Sequence, residues 1–177
     1  AVACTDWSEV TEGRAVAAGR LSEEDGAALR AFAESGHKVI LLGQGALPET
    51  LLDGAVFQPH RQEIVTMNIP ESTVFSGIDP MDPAWFGDER RVPYAALGRY
   101  TVDRFSADNC VLAETLEWHG YINHPTDYKK FGGTPLFARK VGKGHILVSA
   151  LRTDAADFDP VASRLTANIL NWDFDLA

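Results

Sequence analysis

The sequence predicts an α/β domain with a β-rich second half, and three observations lead to this fold class. A helix with clear start and stop residues is followed directly by a short, continuously apolar strand, KVILL. From residue 63 onward, strand-like runs separated by Pro, Gly, Asp and Asn dominate. The chain has 177 residues and is 45% hydrophobic, which is enough for one full core. We therefore expect a single domain over residues 1–177.

The first element is a helix within LSEEDGAALRAFAESG. Ser22 can cap its amino end, three acidic residues follow where the helix dipole is positive, and Gly36 can provide the left-handed stop. Its predicted buried face comprises Leu29, Phe32 and Ala33. Because KVILL lacks alternation, the next strand is expected to be covered on both faces, as in a parallel sheet flanked by helices.

A glycine-rich turn, GQGALPETLLDG, follows this strand, and Pro48 could open a short helix within it. Open α/β sheets bind ligands at the carboxyl ends of their parallel strands. Gly43, Gln44 and Gly45 are therefore candidate ligand contacts, although a tight turn without a ligand is the simpler interpretation of these residues.

The second half contains the strand-like runs EIVTMNI, ALGRYTVDRF and CVLAETLEW. In TPLFARKVGKGHILVSAL, the residues Gly142-Lys143-Gly144 predict a hairpin turn; the surroundings of this GKG do not fit a phosphate-binding loop. A last helix is predicted in DPVASRLTANILNW, with Asp159 as its cap and Pro160 in its first turn. One stripe of this helix comprises Val161, Leu165, Ile169 and Trp172.

The charge of the chain limits its partners. Its formal net charge of −9 disfavours nucleic acid and anionic membrane surfaces, which would repel it. No apolar run approaches the roughly 20 residues that cross a bilayer, and the first residues lack the order of a signal peptide. We expect a soluble unit, cytoplasmic or secreted, that could be a mature or excised piece of a longer protein. Cys4 and Cys110 allow at most one disulfide.

The segment EWHGYINHPTD brings together residue types that bind metals. No His-Glu-x-x-His pattern fixes two of them on one helical face, so a polar, aromatic surface loop is the preferred interpretation. A small metal-dependent hydrolase using His119, His124 and Asp127 stays an alternative. Trp118 and Tyr121 could instead stack against a sugar ring.

The loop FSGIDPMDPAWFGDERRVP offers a similar choice between binding and architecture. Asp79 and Asp82 each precede a proline, where Asp commonly caps a turn, so we predict a structural role for both. Trp85 and Phe86 are predicted to anchor the passage between the two halves, with Trp85 shared between the core and a partner surface. No Gly-x-Ser-x-Gly motif of a hydrolase is present.

The order of four segments resembles a known family. LSEEDGAALRAFAESGHKVILLGQ, PESTVFSGIDPMDPAWFGD, PLFARKVGKGHILVSALR and DPVASRLTANILNW follow one another as in the class I glutamine-amidotransferase-like domain appended to bacterial glycoside hydrolases of the β-galactosidase and family 2 type. The resemblance covers most of residues 20–173. It implies a flavodoxin-like or class I glutamine-amidotransferase-like three-layer sandwich within a longer hydrolase.

Active members of that family use a cysteine in Gly-x-Cys-x-Gly and a later His-x-Glu pair. Neither cysteine here is flanked by glycines and no histidine begins His-x-Glu, so we expect no catalytic residues, cofactor or metal. The resemblance implies a non-catalytic accessory domain that packs against other domains of the parent enzyme or another subunit. Trp85, Phe86, Trp118, His119 and Tyr121 are the candidate interface or ligand residues outside the glycine-rich turn, and a carbohydrate-binding module is the alternative function.

Overall fold

A computed structural model describes residues 8–10, 13–59, 64–84, 95–116 and 132–175. Within these ranges, nine strands form one mixed sheet and two α-helices pack against it, so the predicted α/β class is confirmed. The helices are α1 (Glu23–Glu34) and α2 (Pro160–Asn171). The strands are β1 (Ser8–Val10), β2 (Arg14–Ala18), β3 (Lys38–Leu42), β4 (Val56–Gln58), β5 (Thr66–Met67), β6 (Arg99–Thr101), β7 (Asn109–Leu116), β8 (Gly132–Val141) and β9 (Gly144–Ser149).

The sheet joins strands from both ends of the chain. Its order is β1-β2-β3-β9-β8-β6-β4, while β7 pairs with β8 and β5 pairs with β7. The pairs β2–β3 and β3–β9 are parallel, and the remaining pairs are antiparallel. β3 therefore lies between two parallel neighbours, as its uninterrupted apolar sequence predicts.

The first helix begins and ends where the sequence predicts. The Ser22 hydroxyl accepts a hydrogen bond from Asp25 N at 3.1 Å, and the Asp25 carboxylate accepts one from Ser22 N at 3.0 Å, which completes a capping box. Gly36 follows the helix with a φ of 110°. Leu29 and Ala33 are buried as expected, while Phe32 is half-buried and stacks on His37 with ring centroids 4.3 Å apart.

The two helices cover opposite faces of the sheet. Leu29 and Ala33 of α1 share a core cluster with Val39 and Leu41, which point to the same side of β3. Ile40, between them, belongs to the other cluster, together with Leu165 and Ile169 of α2. Asp159 caps α2 by accepting hydrogen bonds from Val161 N and Ala162 N at 2.8 and 2.9 Å. The result is a helix–sheet–helix layering.

The predicted hairpin is present, whereas other segments are less regular than the sequence suggests. β8 and β9 are joined by a turn at Gly142-Lys143, and Gly142 has a φ of 59°. Among the described residues of EIVTMNI and ALGRYTVDRF, only short stretches form strands, namely β5 and β6. The expected helix at Pro48 is wrong: Leu51 N and Leu52 N donate to Pro48 O in an isolated turn, which Asp53 and Gly54, at a φ of 70°, bring to an end.

Candidate functional site

The glycine-rich turn lies at the carboxyl edge of the parallel strands. β2, β3 and β9 end side by side, because Ala18 pairs with Leu42 and Leu41 pairs with Val148. Gly43, Gln44 and Gly45 follow β3 directly. They therefore lie at the edge of the sheet where open α/β folds bind their ligands.

The Gln44 side chain is directed into the fold at this edge. The residue is only 1% exposed, and its Nε2 donates to Leu42 O at 3.2 Å and to Ala17 O at 3.4 Å. Its backbone N donates to Ser149 O at 3.1 Å. Both amide hydrogens of the side chain thus bind strand-end carbonyls that would otherwise be unpaired in a buried setting. Gln44 joins the ends of β2, β3 and β9.

The carbonyl groups of the same turn are held by Tyr100 from β6. Its hydroxyl lies 2.6 Å from Gly45 O and 3.1 Å from Gln44 O, and the residue is fully buried. Burial raises the pKa of Tyr100, because a phenolate would be poorly solvated there, so the hydroxyl remains a donor. Gly43 has a φ of 58°, a conformation that explains the glycine.

Further polar groups at this edge are also engaged. Ser149 is fully buried, and its hydroxyl accepts a hydrogen bond from Leu151 N at 3.3 Å. The buried Arg152 guanidinium contacts the Asp154 carboxylate through Nε at 2.9 Å and Nη2 at 2.7 Å. The segment after β9 is fixed as well, since Arg152 N donates to Ala95 O at 2.9 Å. Together with the bonds of Gln44 and Tyr100, these contacts form a hydrogen-bonded seam among the described residues of this edge.

The other sequence-predicted candidates lie outside the described residues. These are Trp85, Phe86, Trp118, His119 and Tyr121, as well as His124, Asp127 and Cys4. In the ranges that the structure does describe, no group of three or more His, Cys, Asp or Glu residues could hold a metal ion. Likewise, none of the described helices has the length and apolar character to cross a membrane.

The predicted structural role of the two Asp-Pro aspartates is confirmed. Asp79 Oδ1 accepts a hydrogen bond from Met81 N at 2.9 Å, and Asp82 Oδ2 accepts one from Asp79 N at 2.8 Å. Each carboxylate thus closes a local turn through the backbone.

A polar groove that the sequence did not reveal lies on the α1 side of the sheet. It has a volume of about 440 Å³. Its walls come from the last turns of α1, the turn at Asp53, the loop 103–108 between β6 and β7, and the end of β8. Arg139 of β8 crosses the groove, donating from Nε to Asn109 Oδ1 and from Nη1 to Asp53 O, each at 2.6 Å. These residues are far apart in sequence, so no short sequence motif predicts the groove.

Two solved structures are similar to this chain at low sequence identity. One is the cytoplasmic protein STM3548 from Salmonella typhimurium, 13% identical with a TM-score of 0.49, where the match covers 86% of this chain and 61% of that chain. The other is β-galactosidase from Bacillus circulans sp. alkalophilus, 15% identical with a TM-score of 0.45, where it covers 88% of this chain and 21% of that chain. The chain thus spans less than two thirds of either protein.

No protein-family model matches the chain, and no curated protein matches it.

Proposed function

We propose that this chain is a non-catalytic accessory domain of a carbohydrate-active glycoside hydrolase, with the flavodoxin-like, class I glutamine-amidotransferase-like sandwich as its fold. The sequence resemblance supplies the biological context. The observation that best supports the absence of catalysis is the burial and hydrogen bonding of the Gln44 side chain. This residue lies where an α/β enzyme would hold a ligand, yet it is buried and both of its amide hydrogens bind strand-end carbonyls.

The chemistry of the carboxyl edge supports the same proposal. A nucleophile needs an accessible hydroxyl or thiol with a base beside it. The hydroxyl groups of Ser149 and Tyr100 do not meet this condition. Both residues are fully buried, and both hydroxyl groups are hydrogen-bonded to the backbone. Cys110, the only cysteine among the described residues, lies on β7, and burial raises the pKa of its thiol, with the Asp175 charge adding to the effect. Such a thiol is a poor nucleophile.

The proposal predicts two results for the chain and its surroundings. The reading frame around the coding sequence should encode a glycoside hydrolase catalytic domain. The purified chain, incubated with glutamine or with chromogenic glycosides, should release neither ammonia nor chromophore above a buffer control. Turnover of either substrate by the chain alone would refute the accessory role.

Assembly provides the direct test. The chain and the proposed catalytic portion, expressed separately and mixed, should elute together in size-exclusion chromatography. We propose Trp85, Phe86, Trp118 and Tyr121 as contact residues, because large aromatics are enriched at such interfaces. Trp85→Ala should leave the isolated chain folded, as judged by circular dichroism, and prevent co-elution. An unfolded Trp85→Ala chain would instead assign Trp85 to the core.

A further inference from the structure

We propose that the Asp53–Gly54 peptide bond is a site of covalent modification, at which the folded chain converts aspartate to isoaspartate. The sequence contains two Asp-Gly pairs, Asp25–Gly26 and Asp53–Gly54. Because glycine has no Cβ, its amide nitrogen can approach the preceding aspartate side chain more closely than that of any other residue. The two pairs have opposite surroundings in the fold, and only the second is open to this reaction. The site goes beyond the accessory role, because it needs no partner domain.

The reaction passes through a cyclic imide formed by the two residues. The Gly54 nitrogen loses its proton and bonds to Cγ of the Asp53 carboxyl group, and one carboxyl oxygen leaves as water. Water then opens the ring: attack at Cγ restores aspartate, whereas attack at the backbone carbonyl carbon of Asp53 breaks the bond from that carbon to the Gly54 nitrogen. The second product is isoaspartate, whose backbone runs through Cβ and Cγ. One water leaves and one is taken up, so no other reactant is needed.

The Asp53 side chain and the Gly54 nitrogen are both accessible for ring closure. The Asp53 side chain is 84% exposed, and its ion pairs with Nη1 of Arg30 and of Arg139 are long, at 3.8 Å each. Gly54 is exposed with a φ of 70°, and a Cβ added to it would have no atom within 4 Å. In the part of the chain that the structure describes, no hydrogen bond engages the Gly54 nitrogen. The ring can therefore form without breaking a hydrogen bond of this nitrogen or displacing a neighbour of Gly54.

The first turn of α1 prevents the same reaction at Asp25–Gly26. Asp25 Oδ2 accepts hydrogen bonds from Ser22 N at 3.0 Å and from Ser22 Oγ at 2.7 Å. Gly26 N donates to Ser22 O at 2.9 Å, and a Cβ added to the buried Gly26 would lie 2.7 Å from Thr50 Oγ1. Ring closure here would require both reacting groups to leave their partners and the helix to unwind at its start.

Arg139 favours isoaspartate over aspartate when the ring opens. Its Nη1 donates to Asp53 O at 2.6 Å, and the bond from its Nε to Asn109 Oδ1 fixes the guanidinium. Asp53 O is the oxygen on the carbon that water attacks to give isoaspartate, and a cationic donor stabilises the negative charge that develops there. The contacts to Asp53 Oδ1, on the competing carbon, are longer, at 3.8 Å. Asp53 O then belongs to the new carboxylate, so its bond with Arg139 becomes charge-assisted.

The test is to incubate the whole chain at neutral pH and physiological temperature, either folded or in urea, and to analyse its peptides by mass spectrometry. Electron-transfer fragmentation distinguishes isoaspartate from aspartate at each site. In the folded chain, isoaspartate at residue 53 should exceed that at residue 25 roughly tenfold, because the capping box must open at residue 25. In urea the two pairs should react at similar rates. Asp53→Glu is the control variant: its longer side chain keeps the charge but closes a less favourable ring, so residue 53 should remain unmodified.

Incubation in water labelled with heavy oxygen tests the role of Arg139. Each ring that opens takes up one labelled oxygen, so the labelled products give the ratio of isoaspartate to aspartate. This ratio at residue 53 should be higher in the folded chain than in urea, and Arg139→Gln should remove the difference.

The proposal fails if residues 25 and 53 isomerise equally in the folded chain, if the fold protects both, or if folding leaves the product ratio at residue 53 unchanged. None of these measurements involves co-elution with the catalytic portion, so a failure at Asp53–Gly54 and a failure of the accessory role give different results.

Discussion

The side chains of Gln44 and Tyr100 form hydrogen bonds to the backbone carbonyls at the carboxyl edge of the parallel strands. The Gln44 amide joins the ends of β2 and β3, and the Tyr100 hydroxyl holds the two carbonyls that follow. Each bond removes from the edge a polar group that a ligand could otherwise use. The resulting hydrogen bonds stabilise this edge of the sheet.

Replacing Tyr100 with Phe tests the strength of this seam. The ring keeps its shape and its contacts, while Gln44 O and Gly45 O lose their donor in a buried setting. Tyr100→Phe should lower the free energy of unfolding by about 1–2 kcal/mol, measured by urea denaturation at neutral pH with an unchanged m-value. Unchanged stability would mean that solvent satisfies these carbonyls and that the edge is open.

At the scale of elements, the tip of the β8–β9 hairpin packs closely beneath the end of α1. Lys143 N donates to Glu34 O at 3.3 Å, and His145 N donates to His37 O at 3.2 Å. A Cβ added to Gly144 would lie 2.1 Å from His37 O and 2.3 Å from Ala33 O. Both neighbours are backbone atoms, which cannot move aside as a flexible side chain can. Glycine is therefore required at this position by space.

Gly144→Ala should accordingly be strongly destabilising. We expect a loss of about 3 kcal/mol or more in thermal or urea unfolding, at the upper end of the range for overpacking. Gly45→Ala is the matched control, because its added Cβ would only meet Phe57 Cε1 at 3.7 Å, an ordinary contact. Equal losses in the two variants would contradict the close approach of helix and hairpin.

The cap of α1 can be tested by making the same substitution, Ser to Ala, at the cap position and inside a helix. Ser22→Ala removes the hydroxyl that accepts from Asp25 N and should cost about 1 kcal/mol. Ser163→Ala, at an exposed position inside α2, should be neutral or stabilising by up to about 0.5 kcal/mol, because alanine favours helix interiors. A loss of stability for Ser22→Ala without a loss for Ser163→Ala in urea unfolding would support the capping box, and equal changes at the two positions would argue against it.

These elements also show what the sequence could predict. The caps at Ser22 and Asp159 and the turn at Gly142 depend on neighbouring residues, so their patterns predict them correctly. The order of the strands in the sheet cannot be predicted from neighbouring residues, because Lys38 pairs with His145 from a distant segment. The seam at the carboxyl edge likewise depends on the hydrogen bond from Tyr100 to Gly45 O. The groove depends on the hydrogen bond from Arg139 to Asp53 O. Only folding brings these residues together.

Across the whole molecule, the residues after α2 connect the sheet with the irregular segment that precedes Asp79. Asp173 forms ion pairs with Arg14 of β2 and Lys38 of β3, at 2.5 and 3.5 Å. Trp172 is buried and stacks on Phe174, with ring centroids 4.5 Å apart. Asp175 accepts hydrogen bonds from Thr73 N at 3.0 Å, from Ser72 Oγ and from Trp172 Nε1. This segment thus fastens α2 to two other parts of the fold.

The contribution of Asp175 to the stability of the fold depends on pH. Burial alone would raise its pKa, but the hydrogen bonds from Thr73, Trp172 and Ser72 outweigh this and lower the pKa below the ordinary value of 3.8. A carboxyl group whose pKa is lower in the folded state stabilises the fold when ionised. Its contribution is full above the pKa of the unfolded chain and is lost as the pH falls through the pKa of the folded chain.

Asp175→Asn should therefore lower the free energy of unfolding by about 1 kcal/mol at neutral pH, since the side chain is largely exposed to solvent. In urea unfolding between about pH 7 and pH 2.5, the gap between the native chain and the variant should stay constant at first and then narrow below about pH 4. Asp157→Asn is the control, because no hydrogen bond or ion pair among the described residues involves the Asp157 carboxylate, and it should follow the native chain throughout. A gap that widens in acid would contradict the lowered pKa and, with it, the hydrogen bonds that fasten the end of α2.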